Sequence, residues 1–158
     1  MTAAARALVV GIGSPDAGDD AVGLLVAEAV ARFGLPDVEV LTHEDPTDLT
    51  LLWQGRSRAV VVDAVRSGAP AGTVVTVDAL TQPLPGGRSS GTHDFGLASA
   101  IALSRALGTL PGRLTVVGVE GVAFAPGDPV SPAVAAAIGR AAAVVREILD
   151  KPSHDPAW

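Results

Sequence analysis

Cysteine is absent from this 158-residue chain. That excludes a disulfide framework, a thiolate zinc site and a cysteine nucleophile together. Basic residues are few: 11 Lys and Arg stand against 17 Asp and Glu, giving a net charge of −6 and a pI near 4.8. So acidic a chain is a poor binder of nucleic acid or an anionic membrane, because no basic patch offsets the phosphate field. Long apolar runs are missing too. A bilayer span needs about 20 consecutive apolar residues, and stretches such as 133–145 are interrupted by charge, here at Arg140. Residues 1–6 do not have the form of a targeting segment. The expectation is a cytoplasmic globule, a monomer without nucleic-acid or membrane partners.

Hydrophobic residues make up 48% of the chain and mean hydropathy is +0.41, which excludes disorder for most of it. The length suits one domain with a genuine core, expected over residues 1–150, and residues 151–158 read as a flexible tail. Short β-branched runs at residues 7–12, 38–41, 59–62, 73–77 and 114–119 read as buried strands. Longer Ala/Leu/Val stretches at 20–33, 97–107 and 132–149 read as helices, with a short one at 47–53. Ser131, Asp94 and Thr47 are the expected N-caps of the helices at 132–149, 97–107 and 47–53, and Pro132 suits a first helical position. Alternating strands and helices imply a mostly parallel sheet covered on both faces, an α/β/α sandwich. The connection at 64–72 is too short for a covering helix, so the strand at 73–77 is expected antiparallel to that at 59–62. Residues 83–91, rich in Gly, Pro and Ser, read as a surface loop.

The first strand leads into Gly11-Ile12-Gly13-Ser14-Pro15-Asp16-Ala17-Gly18-Asp19-Asp20. A dinucleotide fingerprint fails there, because G-x-G-x-x-G from Gly11 needs glycine where Asp16 stands. No Gly-Lys-Ser/Thr follows, and three aspartates would repel a phosphate at the helix start. Asp19 or Asp20 can cap the helix, or one can cap while the other faces a cation or a substrate. Asp63 ends the run Val60-Val61-Val62, where ligands of an α/β sheet sit, though a turn-forming Asp is the plain alternative. His93, in Thr92-His93-Asp94, is either a loop histidine or a third donor. Successive strand-end loops converge on one edge of such a sheet. Asp20, Asp63 and His93 would there make an O/O/N site suited to Ni²⁺ or Zn²⁺ with positions left open. Gly87-Arg88-Ser89-Ser90-Gly91 matches G-x-S-x-G but follows loop rather than strand, which argues against a nucleophile elbow.

Together these residues resemble the hydrogenase maturation endopeptidases, which process the large subunits of [NiFe]-hydrogenases. The anchors are Gly11-Ile12-Gly13, Gly18-Asp19-Asp20-Ala21-Val22-Gly23, Val62-Asp63-Ala64, His93 with Gly96-Leu97-Ala98, and Val117-Gly118-Val119-Glu120. The resemblance implies a three-layer α/β sandwich around a five-stranded twisted sheet. It implies a metal-binding cluster at Asp20, Asp63 and His93, with catalytic roles for Asp20 and Asp63 in an aspartic-type peptidase. The implied substrate is a hydrogenase large-subunit precursor that carries nickel, from which a C-terminal extension is removed; zinc would fit the same donors. Many relatives carry a glycine-rich turn where this chain has Thr42-His43-Glu44-Asp45-Pro46. His43, Glu44 and Asp45 are therefore expected to bind substrate, as is Glu120. A nickel-dependent checkpoint or chaperone that binds the precursor without cutting it is the alternative.

Overall fold

The computed structural model describes residues 5–84 and 96–151. Five strands form one sheet: β1 (Ala7–Ile12), β2 (Val38–His43), β3 (Arg58–Val65), β4 (Val74–Asp78) and β5 (Leu114–Glu120). Four α-helices accompany them: α1 (Val22–Ala31), α2 (Leu49–Leu52), α3 (Leu97–Leu107) and α4 (Pro132–Asp150). The strand order is β2-β1-β3-β5-β4, parallel except for the antiparallel β4–β5 pair. β4 runs opposite to β3 as expected, but its hydrogen-bonded neighbour is β5, which lies between them. Burial explains this. β5 is almost wholly buried, as a central strand must be, whereas β4 is exposed at Thr76 and Asp78 and suits an edge.

The side-chain alternation of each central strand divides the core into two layers. Val9, Val60, Val62, Val117 and Val119 face α1 and α4, where they meet Val22, Val26, Val30, Val134 and Ala141. Leu8, Val10, Ile12, Ala59, Val61, Leu114 and Val116 face the other side, under Leu49, Trp53, Ala100 and Ile101 of the α2/α3 layer. The three-layer α/β/α sandwich read from the sequence is thus the observed architecture.

Helix α1 lies unusually close to the sheet. A Cβ on Gly23 would stand 2.3 Å from the carbonyl oxygen of Ile12 and 2.5 Å from that of Val62. A Cβ on Gly11 would stand 2.1 Å from the carbonyl oxygen of Gly23. Both glycines are therefore needed for close approach, and they bring the start of α1 down onto the carboxyl ends of β1 and β3.

The expected caps differ from the observed ones. Gly96 and Asp48 occupy the N-cap positions of α3 and α2, in place of Asp94 and Thr47. Ser131 stands at the N-cap of α4, but its hydroxyl is turned to Asp19 rather than to its own helix. The G-x-S-x-G match around Ser89 that was set aside, the loop at 85–91, His93, Asp94, His154 and the tail from residue 152 lie outside the described residues. Among the described residues no helix is long and apolar enough to cross a membrane.

Candidate active site

The chain passes from β1 to β2 on one side and then crosses back to β3 on the other side of β1, so the carboxyl ends of β1 and β3 form the switch-point crevice of the sheet. Asp20 and Asp63 meet there. Asp20 lies in a tight 3-10 turn, Gly18–Ala21, inserted between β1 and α1. Neither Asp19 nor Asp20 caps the helix, whose N-cap position is Ala21. Instead the backbone N–H of Ser14 donates to Asp20 Oδ2 at 2.8 Å, closing the acidic turn on itself. Asp63 lies within β3, paired with Gly118 of β5, and its Oδ1 accepts the N–H of Ala64 at 2.9 Å. Each carboxylate thus has one oxygen anchored to backbone and, among the described residues, the other without a hydrogen bond.

Burial, and next the charge of Asp20, push the Asp63 carboxyl up to about 8, against the smaller downward pull of the Ala64 N–H. Two carboxylates held together without a cation repel, and one keeps its proton. A divalent cation held by Asp20 and Asp63 would relieve that repulsion, and two carboxylates suit such a cation. Among the described residues no group of three His, Cys, Asp or Glu side chains could hold a metal ion. The third sequence candidate, His93, lies outside them.

Helix α3 begins at the same edge. Arg105, in its last turn, donates to the carbonyl of Leu80 at 3.2 Å, and Ala79 N–H donates to Leu114, where β5 starts. Its C-terminus is therefore at the amino edge of the parallel strands, and its first turn, after Gly96, points to the carboxyl edge.

His43 closes β2 in register with Ile12, and its carbonyl accepts the N–H of Gly13 at 3.1 Å. Glu44 and Asp45 follow, exposed on that edge. Glu120 is different. The sequence sets it at the groove, but the structure buries it at 3% exposure. Its oxygens accept the N–H and hydroxyl of Ser67 at 2.8 and 2.6 Å and the N–H of Gly68 at 3.2 Å. Glu120 holds the turn after β3, not a ligand.

Sequence reasoning missed the role of Asp19. This fully buried carboxylate reaches across to the β5–α4 loop. Val122 and Ala123 donate their N–H groups to Oδ2 at 2.8 and 3.0 Å, and Ser131 donates its N–H to Oδ1 at 2.7 Å and its hydroxyl to Oδ2 at 2.8 Å. Burial alone would raise its pKa, but these hydrogen bonds outweigh burial and hold it below the ordinary carboxylate value. Gly18, just before it, adopts φ +58, and a Cβ there would stand 2.3 Å from the carbonyl oxygen of Ala123. The pattern Gly18-Asp19-Asp20 therefore combines close backbone approach, a clamp and an open carboxylate in three residues.

Residues 26–148 match the family model of the hydrogenase maturation proteases. The chain belongs to that family. It is 30% identical over 138 residues to the hydrogenase 2 maturation protease of Escherichia coli K12, covering 84% of each chain. It is also 30% identical over 158 residues to the hydrogenase expression/formation protein HupD of Rhodobacter capsulatus, covering 90% of this chain and 71% of that one. Its fold matches the hydrogenase maturating endopeptidase HybD of E. coli with a TM-score of 0.75 at 26% identity, covering 91% of each chain. The family supports a processing peptidase.

Proposed function

We propose that this protein removes the C-terminal extension of a [NiFe]-hydrogenase large-subunit precursor once nickel has been inserted. Nickel arrives as cargo of the precursor, and Asp20, Asp63 and His93 read it. The observation that supports this most is the Asp20–Asp63 pair at the switch point: two carboxylates of a maturation-protease chain, each anchored by one oxygen and open at the other.

A bound divalent cation would supply Lewis-acid polarisation of an oxygen ligand. The chain's residues do the rest. Ser14 and Ala64 fix the two carboxylates through their N–H groups, and Asp63 holds a proton at neutral pH that it releases when positive charge arrives. His43, Glu44 and Asp45 extend the same edge toward the substrate. The protein works in the cytoplasm as a monomer.

The test incubates the protein with nickel-loaded and nickel-free precursor and weighs the products by mass spectrometry. The loaded precursor should lose its C-terminal fragment and the nickel-free one should remain intact. Asp20→Asn and His93→Gln should each abolish cleavage while retaining near-normal stability. Equal cleavage of both precursors would overturn the nickel requirement. Nickel-dependent binding without any cleavage would make the protein a checkpoint rather than a peptidase.

A further inference from the structure

We propose that Arg66, laid on the ring of Phe124 in the loops at the carboxyl edge of the sheet, binds a carboxylate of the peptide substrate and so selects which precursor is accepted. This rests on the reading of the protein as a precursor-processing peptidase.

The loops that leave the carboxyl ends of β1, β2, β3 and β5 comprise residues 13–21, 44–48, 66–73 and 121–131. They carry many carboxylates and one basic side chain, Arg66. Among the described residues its guanidinium forms no hydrogen bond and no ion pair, although these loops carry several Asp and Glu. It lies over the ring of Phe124, 4.3 Å from the ring centroid. An arginine on an exposed acidic rim that pairs with none of its neighbours keeps its planar donor fork for another carboxylate. That geometry suits bidentate recognition.

The side chain is also held in advance. Glu120 clamps Ser67 and Gly68, so the backbone leaving Arg66 is fixed by a buried carboxylate. Phe124 is fixed as well. A Cβ on Gly121 would stand 2.7 Å from the ring of Phe124 and 2.8 Å from Cβ of Asp19. The ring, Gly121 and the Asp19 clamp thus form a tight stack under the guanidinium. Pre-ordering a long side chain lowers the entropy that binding must overcome. Arg66 is the first residue after β3, the strand that carries Asp63, so it leaves the sheet at the same carboxyl edge. Val122, in the same loop as Phe124, is 61% exposed. Among the described loops of this edge, which otherwise carry carboxylates, Arg66 offers a positive charge that attracts an acidic group of the peptide.

The carboxylate has two possible sources, an Asp or Glu side chain of the precursor's extension or the terminal α-carboxylate. The test measures cleavage kinetics on three nickel-loaded precursors: the natural one, one with the acidic residues of the extension changed to Asn and Gln, and one with an amidated C-terminus. Arg66→Gln should raise KM for the natural precursor about 10-fold or more and leave kcat nearly unchanged, as expected for losing a hydrogen bond to a charged group. Arg66→Lys should restore only part, since it supplies a point charge without the fork. The precursor form that lacks the recognised carboxylate should be indifferent to Arg66→Gln, and this identifies the source. An unchanged KM for Arg66→Gln, with wild type cutting normally, would overturn the proposal and leave the peptidase reading standing. A KM increase that persists equally in both altered precursors would reduce Arg66 to a packing partner of Phe124. Failure of wild type to cut any precursor would remove the peptidase reading itself, and this inference with it.

Discussion

Asp63 is a carboxyl group whose ordinary pKa, about 3.9, is raised in the folded state to about 8 by burial and by Asp20. Between roughly pH 4 and pH 8 the folded protein therefore holds a proton that the unfolded chain has released. The sign follows: stability of the metal-free protein falls as pH rises through that window. Asp63→Asn, nearly isosteric and always neutral, should remove this dependence. Its melting temperature should exceed that of wild type by a margin that grows from pH 5 to pH 8. A margin independent of pH would show that Asp63 titrates normally. Added divalent cation should reverse the trend in wild type, because binding releases the proton and tightens as pH rises toward 8. Asp63 and Asp20 were legible in the sequence because one ends an apolar run and the other stands in the acidic turn after the first strand. Glu120 looked equivalent by that rule and is not, since Ser67 and Gly68 are donors whose approach no local spacing announces. Arg66 gave no signal either, because its meaning depends on a phenylalanine that reaches it only through the β3–β5 pairing.

At the scale of elements, the packing of α1 on the sheet turns an ordinary helix rule around. Gly→Ala inside a helix is normally favourable by roughly 1 kcal/mol through backbone entropy and propensity. At Gly23 the added methyl would meet the carbonyl oxygens of Ile12 and Val62 at 2.3 and 2.5 Å, both backbone atoms that cannot rotate away. Gly23→Ala should therefore destabilise the fold by about 1–3 kcal/mol, the usual cost of overpacking. Gly139 in α4 has nothing near its Cβ position, so Gly139→Ala should stabilise. Urea unfolding of the two variants at one pH checks both signs, and stabilisation by both would mean that α1 does not sit against the strands. The strands were legible because runs such as Val60-Val61-Val62 are too apolar for anything but a buried sheet. Their boundaries moved outward by up to three residues, as at Ala64 and Val65 of β3, where pairing with β5 continues past the apolar run. The neighbour of β4 was not legible from the short 64–72 connection, which fixes direction but not adjacency. The weaker burial of β4, carrying Thr76 and Asp78, was the available clue to an edge.

Across the whole molecule, the Asp19 clamp ties the first strand-end loop to the start of the last helix, partners 103 to 112 residues apart. It joins the loop that carries Asp20 to the loop that carries Phe124. Asp19→Ala would leave the N–H groups of Val122, Ala123 and Ser131 without their acceptor, at roughly 1–3 kcal/mol for each donor that water does not reach. The expected loss is at least about 3 kcal/mol, a large share of the ~5–15 kcal/mol that holds a domain together. Asp16→Ala, at an exposed position three residues earlier, should change stability by no more than about 0.5 kcal/mol. The pH dependence of the clamp runs opposite to that of Asp63. Because Asp19 is held below its ordinary pKa, its contribution is present above about pH 4 and is lost as pH falls through the folded-state value. The stability gap between wild type and Asp19→Ala should therefore be full at pH 7 and shrink at pH 3, as read from urea unfolding at both. A gap that stays constant into acid would mean that the charge of Asp19 is irrelevant and that only the shape of its side chain holds the two loops. A small gap at pH 7 would mean that the loops are joined by their backbone contacts alone, such as Asp19 N–H to Ala123 at 2.7 Å and Gly127 N–H to Asp16 at 2.7 Å. In the expected case, acid loosens the two loops before it disturbs the apolar layers beneath them, so the edge that carries Asp20 is the first part of the molecule to lose its shape.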